Sequence, residues 1–159
     1  MKQFIFLLLT LSVLACSGGG DPAPTPTPPT PTVSVSTLVK KVWTVNTAQW
    51  DGVTKYDKAG TANVVQGYAQ YKLDLSTAGS VTLTEFDGKI FTGTYTVATD
   101  GLSLTLNGLT SADGAPTGTG GTITYSILVT PTATTLSLQQ TTAYVKASSA
   151  IVKLALVNP

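Results

Sequence analysis

Residues 71–106 read YKLDLSTAGSVTLTEFDGKIFTGTYTVATDGLSLTL. Apolar and polar side chains alternate along this stretch, and in an extended chain alternation puts one set on each face. Two Asp-Gly pairs, Asp87-Gly88 and Asp100-Gly101, punctuate it. Asp-Gly between two such runs favours a tight hairpin, because glycine accepts the positive φ that primed turns require. The stretch therefore predicts a meander of four antiparallel strands. Tyr71, Leu73 and Leu75 share a face of the first, and Val81 and Leu83 share a face with Glu85 in the second. In the third, Phe91, Gly93, Tyr95 and Val97 alternate with threonines. In the fourth, Leu102, Leu104 and Leu106 alternate with Ser103 and Thr105. Gly93 in mid-strand fits a bend or bulge.

The pattern extends outward on both sides. A first strand is expected over residues 42–48, after a short helical turn at 37–41. Residues 51–62 are polar and contain glycine, so they read as a loop, and 64–68 is a poor strand interrupted by Gly67. Residues 107–121 read as a long loop. Further strands are expected at 123–129, at 134–140 with Leu136 and Leu138 inward, and at 151–157, with a short one at 143–146. About eight short strands without a long amphipathic helix predict an all-β domain. Consecutive hairpins, and the removal of exposed edges by closure, favour an eight-stranded antiparallel up-and-down β-barrel; a two-sheet sandwich is the alternative.

Composition narrows the function. There is no His and no Arg, and the precursor carries 9 Lys against 8 acidic residues. Nucleic acid is gripped through its phosphates by Lys and Arg, so a nucleic-acid partner is not expected. Threonine makes up 29 of the 159 residues. Being β-branched and half polar, it suits the outer face of a pleated sheet.

The N-terminus reads as an address. Met1-Lys2 gives a positive start, and FIFLLLTLSVLA at 4–15 is apolar but short of the ~20 residues that span a bilayer. A signal peptide at 1–15 is expected. Val13-Leu14-Ala15-Cys16 resembles a bacterial lipobox, and Cys16 is the only cysteine of the chain. The resemblance implies a thioether-linked diacyl group and an acylated amine on Cys16, a stable anchor in the lipid bilayer. Ser17 follows instead of Asp, which in Gram-negative lipoproteins implies the outer membrane. Residues 16–36 then form a Gly-, Pro- and Thr-rich linker, with six of the nine prolines between 21 and 34. As polyproline II, at about 3.1 Å per residue, that part spans roughly 40 Å. The folded domain is expected at 37–159.

The domain resembles the lipocalin-like domains of bacterial lipoproteins. The residues that carry this are Leu38 and Trp43 at the entry, Val81-Thr82-Leu83 leading to Phe86-Asp87-Gly88-Lys89, and Gly93-Thr94-Tyr95-Thr96-Val97. Asp100-Gly101-Leu102-Ser103-Leu104-Thr105-Leu106 and Thr134-Thr135-Leu136-Ser137-Leu138 complete the order. In lipocalins proper a Gly-x-Trp motif opens the first strand and an Arg covers the Trp. Here Lys41 stands at the Gly position, and Lys153 is the residue that could cover Trp43 by a cation–π contact. The resemblance implies a barrel but carries no ligand over.

No catalytic constellation emerges. Glu85 and Asp87 flank a hairpin tip, where turn chemistry explains Asp87. Asp51, Asp57, Asp87, Asp100 and Asp113 are scattered, so neither metal nor cofactor is implied. A barrel lined by Trp43, Tyr71, Phe91, Tyr95 and Tyr125 could hold a small apolar ligand, or these rings could simply fill the core. Trp50 and Tyr56, beside a loop, could meet a sugar or a protein. The expectation is a non-enzymatic, outer-membrane lipoprotein that binds a small apolar ligand. The alternative is an interaction module contacting protein or glycan in the envelope.

Overall fold

The computed structural model of the protein describes residues 33–159. Cys16, the expected signal peptide and the linker as far as residue 32 lie outside the described residues. A four-residue helix α1 (Val35–Leu38) opens the described part, capped by the Ser34 hydroxyl, which accepts from the Thr37 N–H. Nine strands follow: β1 (Val42–Trp50), β2 (Val53–Asp57), β3 (Lys72–Asp74), β4 (Ser80–Thr84), β5 (Ile90–Val97), β6 (Ser103–Thr110), β7 (Ile123–Val129), β8 (Thr135–Gln140) and β9 (Val152–Val157).

From β3 to β9 each strand pairs antiparallel with the next in sequence. β1 closes the ring by pairing with β9 along one edge, from Thr44↔Val157 to Trp50↔Val152. Its other edge is divided: Val42, Trp43 and Thr44 pair with β3, while residues from Thr47 to Trp50 pair with β2. The fold is thus a closed, eight-stranded, antiparallel up-and-down barrel, with β2 filling the edge that short β3 leaves bare.

The alternation seen in the sequence is realised. Leu73, Val81, Leu83, Phe91, Leu104, Leu106, Leu136, Leu138, Leu154 and Leu156 are all buried in one core. Threonines 92, 94 and 96 of β5 lie exposed on the outer face. α1 covers one end of the barrel: Val39 is fully buried, and the Trp43 Nε1–H donates to its carbonyl at 2.8 Å. Val35 packs on the β5–β6 turn so closely that a Cβ on Gly101 would stand 2.8 Å from its Cγ2.

Several local expectations are corrected. Residues 51–62 are not all loop, because Asp51 (φ 47°) and Gly52 (φ 80°) form a two-residue turn that folds β2 back on β1. This is the primed geometry expected of the later Asp-Gly pairs. In those pairs glycine alone has positive φ. The Gly88 N–H donates to the Glu85 carbonyl, and the Glu85 N–H to the Lys89 carbonyl, which makes a wider loop ending on a left-handed glycine. Residues 64–68 yield to a 3-10 helix at Gln66–Gln70, and the short strand expected at 143–146 is a 3-10 helix at Val145–Ala147 with a Tyr144↔Ala150 bridge. The initial helical turn sits at Val35–Leu38, not 37–41. Lys153 points outward and is exposed, so it does not cover Trp43.

Gly93 is required by space. A Cβ there would lie 2.5 Å from the Asn107 carbonyl oxygen, at the bulge where β5 shifts register against β6. Backbone on both sides cannot yield cheaply. Gly93→Ala is expected to cost about 2 kcal/mol in chemical denaturation, whereas Thr92→Ala, on the exposed face, stays within about 0.5 kcal/mol.

Candidate functional site

The up-and-down path places connections 51–71, 85–89, 111–122 and 141–151 at the end of the barrel opposite α1. The inward apolar faces run out at that end. Val81 and Leu83 are followed on the same face by Glu85, and Leu136 and Leu138 by Gln140. Glu85 (2% exposed) and Gln140 (6%) are the buried charged and polar residues of the described chain. A buried carboxylate needs compensating donors, and a remote segment supplies them. The Tyr144 hydroxyl donates to Glu85 Oε1, and Lys146 Nζ donates to Glu85 Oε2. Lys146 also reaches Asp87 Oδ2 at 2.7 Å and lies 5.3 Å from the Phe91 ring centroid. Residues 141–151 are therefore pinned across the barrel end onto the β4–β5 hairpin.

Aromatic groups complete the wall. The Tyr71 and Tyr125 hydroxyls lie 3.4 Å apart. The Trp50 Nε1–H donates to the Tyr68 hydroxyl at 2.8 Å, and the Tyr68 ring lies 4.9 Å from that of Phe86. Gly67 lets the 3-10 helix carrying Tyr68 rest on this hairpin, since a Cβ there would stand 1.9 Å from the Phe86 carbonyl oxygen. Between Tyr68, Tyr71, Glu85, Phe86, Tyr125, Gln140 and Tyr144 remains a space of about 10 Å³. That is room for one water molecule at most, against the roughly 300 Å³ of an ordinary ligand pocket. Gln140 Oε1 is buried there without a hydrogen-bond partner.

Burial raises the Tyr71 hydroxyl well above its usual range and the Tyr125 hydroxyl to about 12. Burial likewise raises Tyr68, and it raises Tyr144, which is held further in the neutral form by its hydrogen bond to Glu85. Burial works to raise the Asp87 carboxyl, but its bond from Lys146 prevails and the group stays below its ordinary range. For Lys146, burial works downward and the bonds to Asp87 and Glu85 prevail, leaving the ammonium above its ordinary range.

The five rings singled out in the sequence are all buried. The structure brings Tyr71 and Tyr125 into contact and places Phe91 under Lys146. Trp43 and Tyr95 lie toward the other end, bonded to the carbonyls of Val39 and Leu75. Sequence reasoning missed Tyr68, Gln140, Tyr144 and Lys146, and it set Glu85 on the face of Val81 and Leu83 without giving it a partner. Glu85 and Gln140 each carried a signal, a polar residue on an otherwise apolar period-two face. Trp50 is half-buried under Lys55, and Tyr56 is buried against Tyr68. Among the described residues no three His, Cys, Asp or Glu come together as a metal site would require.

No protein-family profile and no curated protein matches the chain. Two solved structures are similar to it. One is a lipocalin-like protein from Bacteroides uniformis ATCC 8492, 13% identical, covering 77% of this chain and 99% of its own, with a TM-score of 0.47. The other is an uncharacterized protein from Bacteroides eggerthii DSM 20697, 14% identical, covering 75% and 98%, with a TM-score of 0.44.

Two outcomes follow from the buried ion pair. Lys146→Met alone strands the Glu85 carboxylate and costs about 3 kcal/mol or more, whereas Glu85→Leu with Lys146→Met is close to neutral in urea denaturation. The pH profile has two limbs. Asp87, depressed when folded, stabilises above its unfolded value near 3.8, and that contribution is lost as pH falls through its folded value. Lys146, raised when folded, stabilises below its unfolded value of 10.5, and that contribution is lost as pH rises through its folded value. Melting temperature should therefore be flat between these limits and fall outside them, and Glu85→Leu with Lys146→Met should flatten both limbs.

Proposed function

We propose that the chain is a non-catalytic lipoprotein, anchored through Cys16 in the outer membrane, whose barrel takes a small ligand at its long-loop end. The observation that carries this reading is Gln140 Oε1, buried without a partner beside the Glu85 carboxylate. A buried acceptor left unpaired costs about 1–3 kcal/mol, so native interiors retain few of them, and binding sites are where they gather. The absence of His from the chain supports the non-catalytic part. Of the rings expected to line the barrel, Tyr71 and Tyr125 border this end, while the middle is filled by Leu73, Leu104, Leu106 and their neighbours.

A second reading is favoured by that filling. In it the barrel is an interaction module that works through its outside. Two open grooves suit this role. One, of about 340 Å³, is lined by threonines of the long-loop end, Thr119, Thr122 and Thr141 among them, and borders Gln140 and Tyr144; the other, of about 270 Å³, lies over β8 and β9.

Native mass spectrometry of the full chain extracted from membranes separates the two. The ligand reading predicts a bound small molecule that is lost in Gln140→Leu, and the module reading predicts the bare mass throughout. For the anchor, Cys16→Ala should abolish radiolabelled palmitate incorporation and release the protein from the membrane fraction. Label that persists in the variant would overturn the lipoprotein assignment.

A further inference from the structure

We propose that the long-loop end of the barrel is a binding site for a small primary amine, whose ammonium takes the place now held by Lys146 Nζ on Glu85. This rests on the reading that a small ligand binds at this end, and it adds the ligand's class. The site is closed in this structure by residues 141–151, which leave only about 10 Å³ beneath them. Admission of anything larger than water requires that segment to lift. Its hold on the hairpin runs through two side chains: Tyr144 ends on Glu85, and Lys146 ends on both Glu85 and Asp87.

Lifting the segment removes both donors from Glu85 at once. The carboxylate is 2% exposed, and a buried charge stripped of its partners is heavily disfavoured. Whatever enters must therefore restore a positive charge at that point. An anion would add a second negative charge beside Glu85 and Asp87, and a purely apolar molecule would leave Glu85 uncompensated. The remaining walls agree with a cation. Phe91 already presents its face to an ammonium, at 5.3 Å from Lys146 Nζ. Tyr68, Tyr71 and Tyr125 contribute rings and hydroxyls, and Gln140 Oε1 is a second acceptor standing without a partner. Lys146 is the cation of this cluster, and it departs with the segment that carries it.

The covering segment carries backbone strain next to Lys146, although Tyr144 and Ala147 are buried in the core. Ser148 (φ 56°) and Ser149 (φ 60°) are consecutive non-glycine residues in the left-handed region, directly after the 3-10 helix that bears Lys146. Such conformations persist only where surrounding contacts impose them, and they relax when those contacts go. Lys146 thus acts as a tethered occupant of the amine site. A free amine competes with it, and binding to the intact protein is weakened by the small fraction of molecules in which Lys146 is displaced.

The test uses the full chain in detergent micelles and three probes of one shape, n-butylamine, n-butanol and butyrate. Each is titrated into the wild type, Lys146→Ala and Glu85→Gln/Lys146→Ala, reading the thermal midpoint and the NMR shifts of the Gln140 side-chain amide. The expected result is that butylamine alone raises the midpoint of Lys146→Ala and shifts Gln140. Its affinity there should be about tenfold or more above the wild type, because the tethered competitor is gone. The double variant should lose the response. If Lys146→Ala does not fold, the wild type at high butylamine must still shift Gln140 where butanol does not. A response to butanol or butyrate equal to that for butylamine overturns the amine class while leaving a ligand site at this end. No response to any probe overturns this proposal, and the mass measurement above decides separately whether a ligand binds at all.

Discussion

Everything in this fold depends on the first strand meeting the last. β1 and β9 are the first and last strands of the ring, and their pairing turns a row of hairpins into a closed cylinder, with β2 attached at the edge of β1. The pairing is made possible by a fault in β1. Register shifts between Val45 and Thr47, so Asn46 is stepped over, and the inward positions change from Trp43 and Val45 to Ala48. A strand without that bulge would turn either its first or its second half to solvent. With it, Val45 meets Leu156 and Ala48 meets Leu154 across the seam, each pair buried.

Closure also creates the polar end. Once the strands form a ring, side chains of every inward face converge on one axis, and each face must terminate somewhere. β4 carries its inward face past Leu83 to Glu85, and β8 carries its own past Leu138 to Gln140. Two polar groups are thereby buried at one level of the barrel, while the α1 end is sealed by Val39 and Trp43. Coulombic attraction in a desolvated site is strong, but so is the cost of desolvation, and a buried pair adds little net stability over apolar side chains of the same volume. The Glu85–Lys146 pair is therefore better understood as a device that fixes where residues 141–151 sit than as a source of stability. That is also why its partner can be exchanged for another cation.

The barrel was legible in the sequence because period-two alternation is local: Val81-Thr82-Leu83 and Leu104-Thr105-Leu106 declare their faces without reference to anything distant, although Leu102, expected on the same face, lies before β6 and is exposed. Gly93 was legible for the same reason, a glycine interrupting a strand. What escaped depends on pairing at long range. The Asp51-Gly52 turn has the same two residues as the later ones, but the segment after it, VTKYD, has no apolar alternation of its own, and its strand exists only because β3 leaves part of β1 unpaired. Lys146 carries no periodic signal at all. It lies about sixty residues from Glu85 in the chain, and only the closed ring brings the two together. Glu85 and Gln140 could have been found by treating a polar residue on an apolar face as a demand for a partner. The identity of that partner was not available locally.

Amide hydrogen exchange tests the central claim, a sheet closed between β1 and β9 with one end covered by a separable segment. The amides that cross the β1–β9 seam, Gln49, Lys153 and Ala155 among them, should exchange only through global unfolding and share one opening free energy. The amides of Tyr144, Ala147 and Ser149, bonded within the covering segment, should exchange through a smaller opening that leaves the seam protected. Exchange of the seam before, or together with, residues 141–151 would contradict both the closed barrel and its lid.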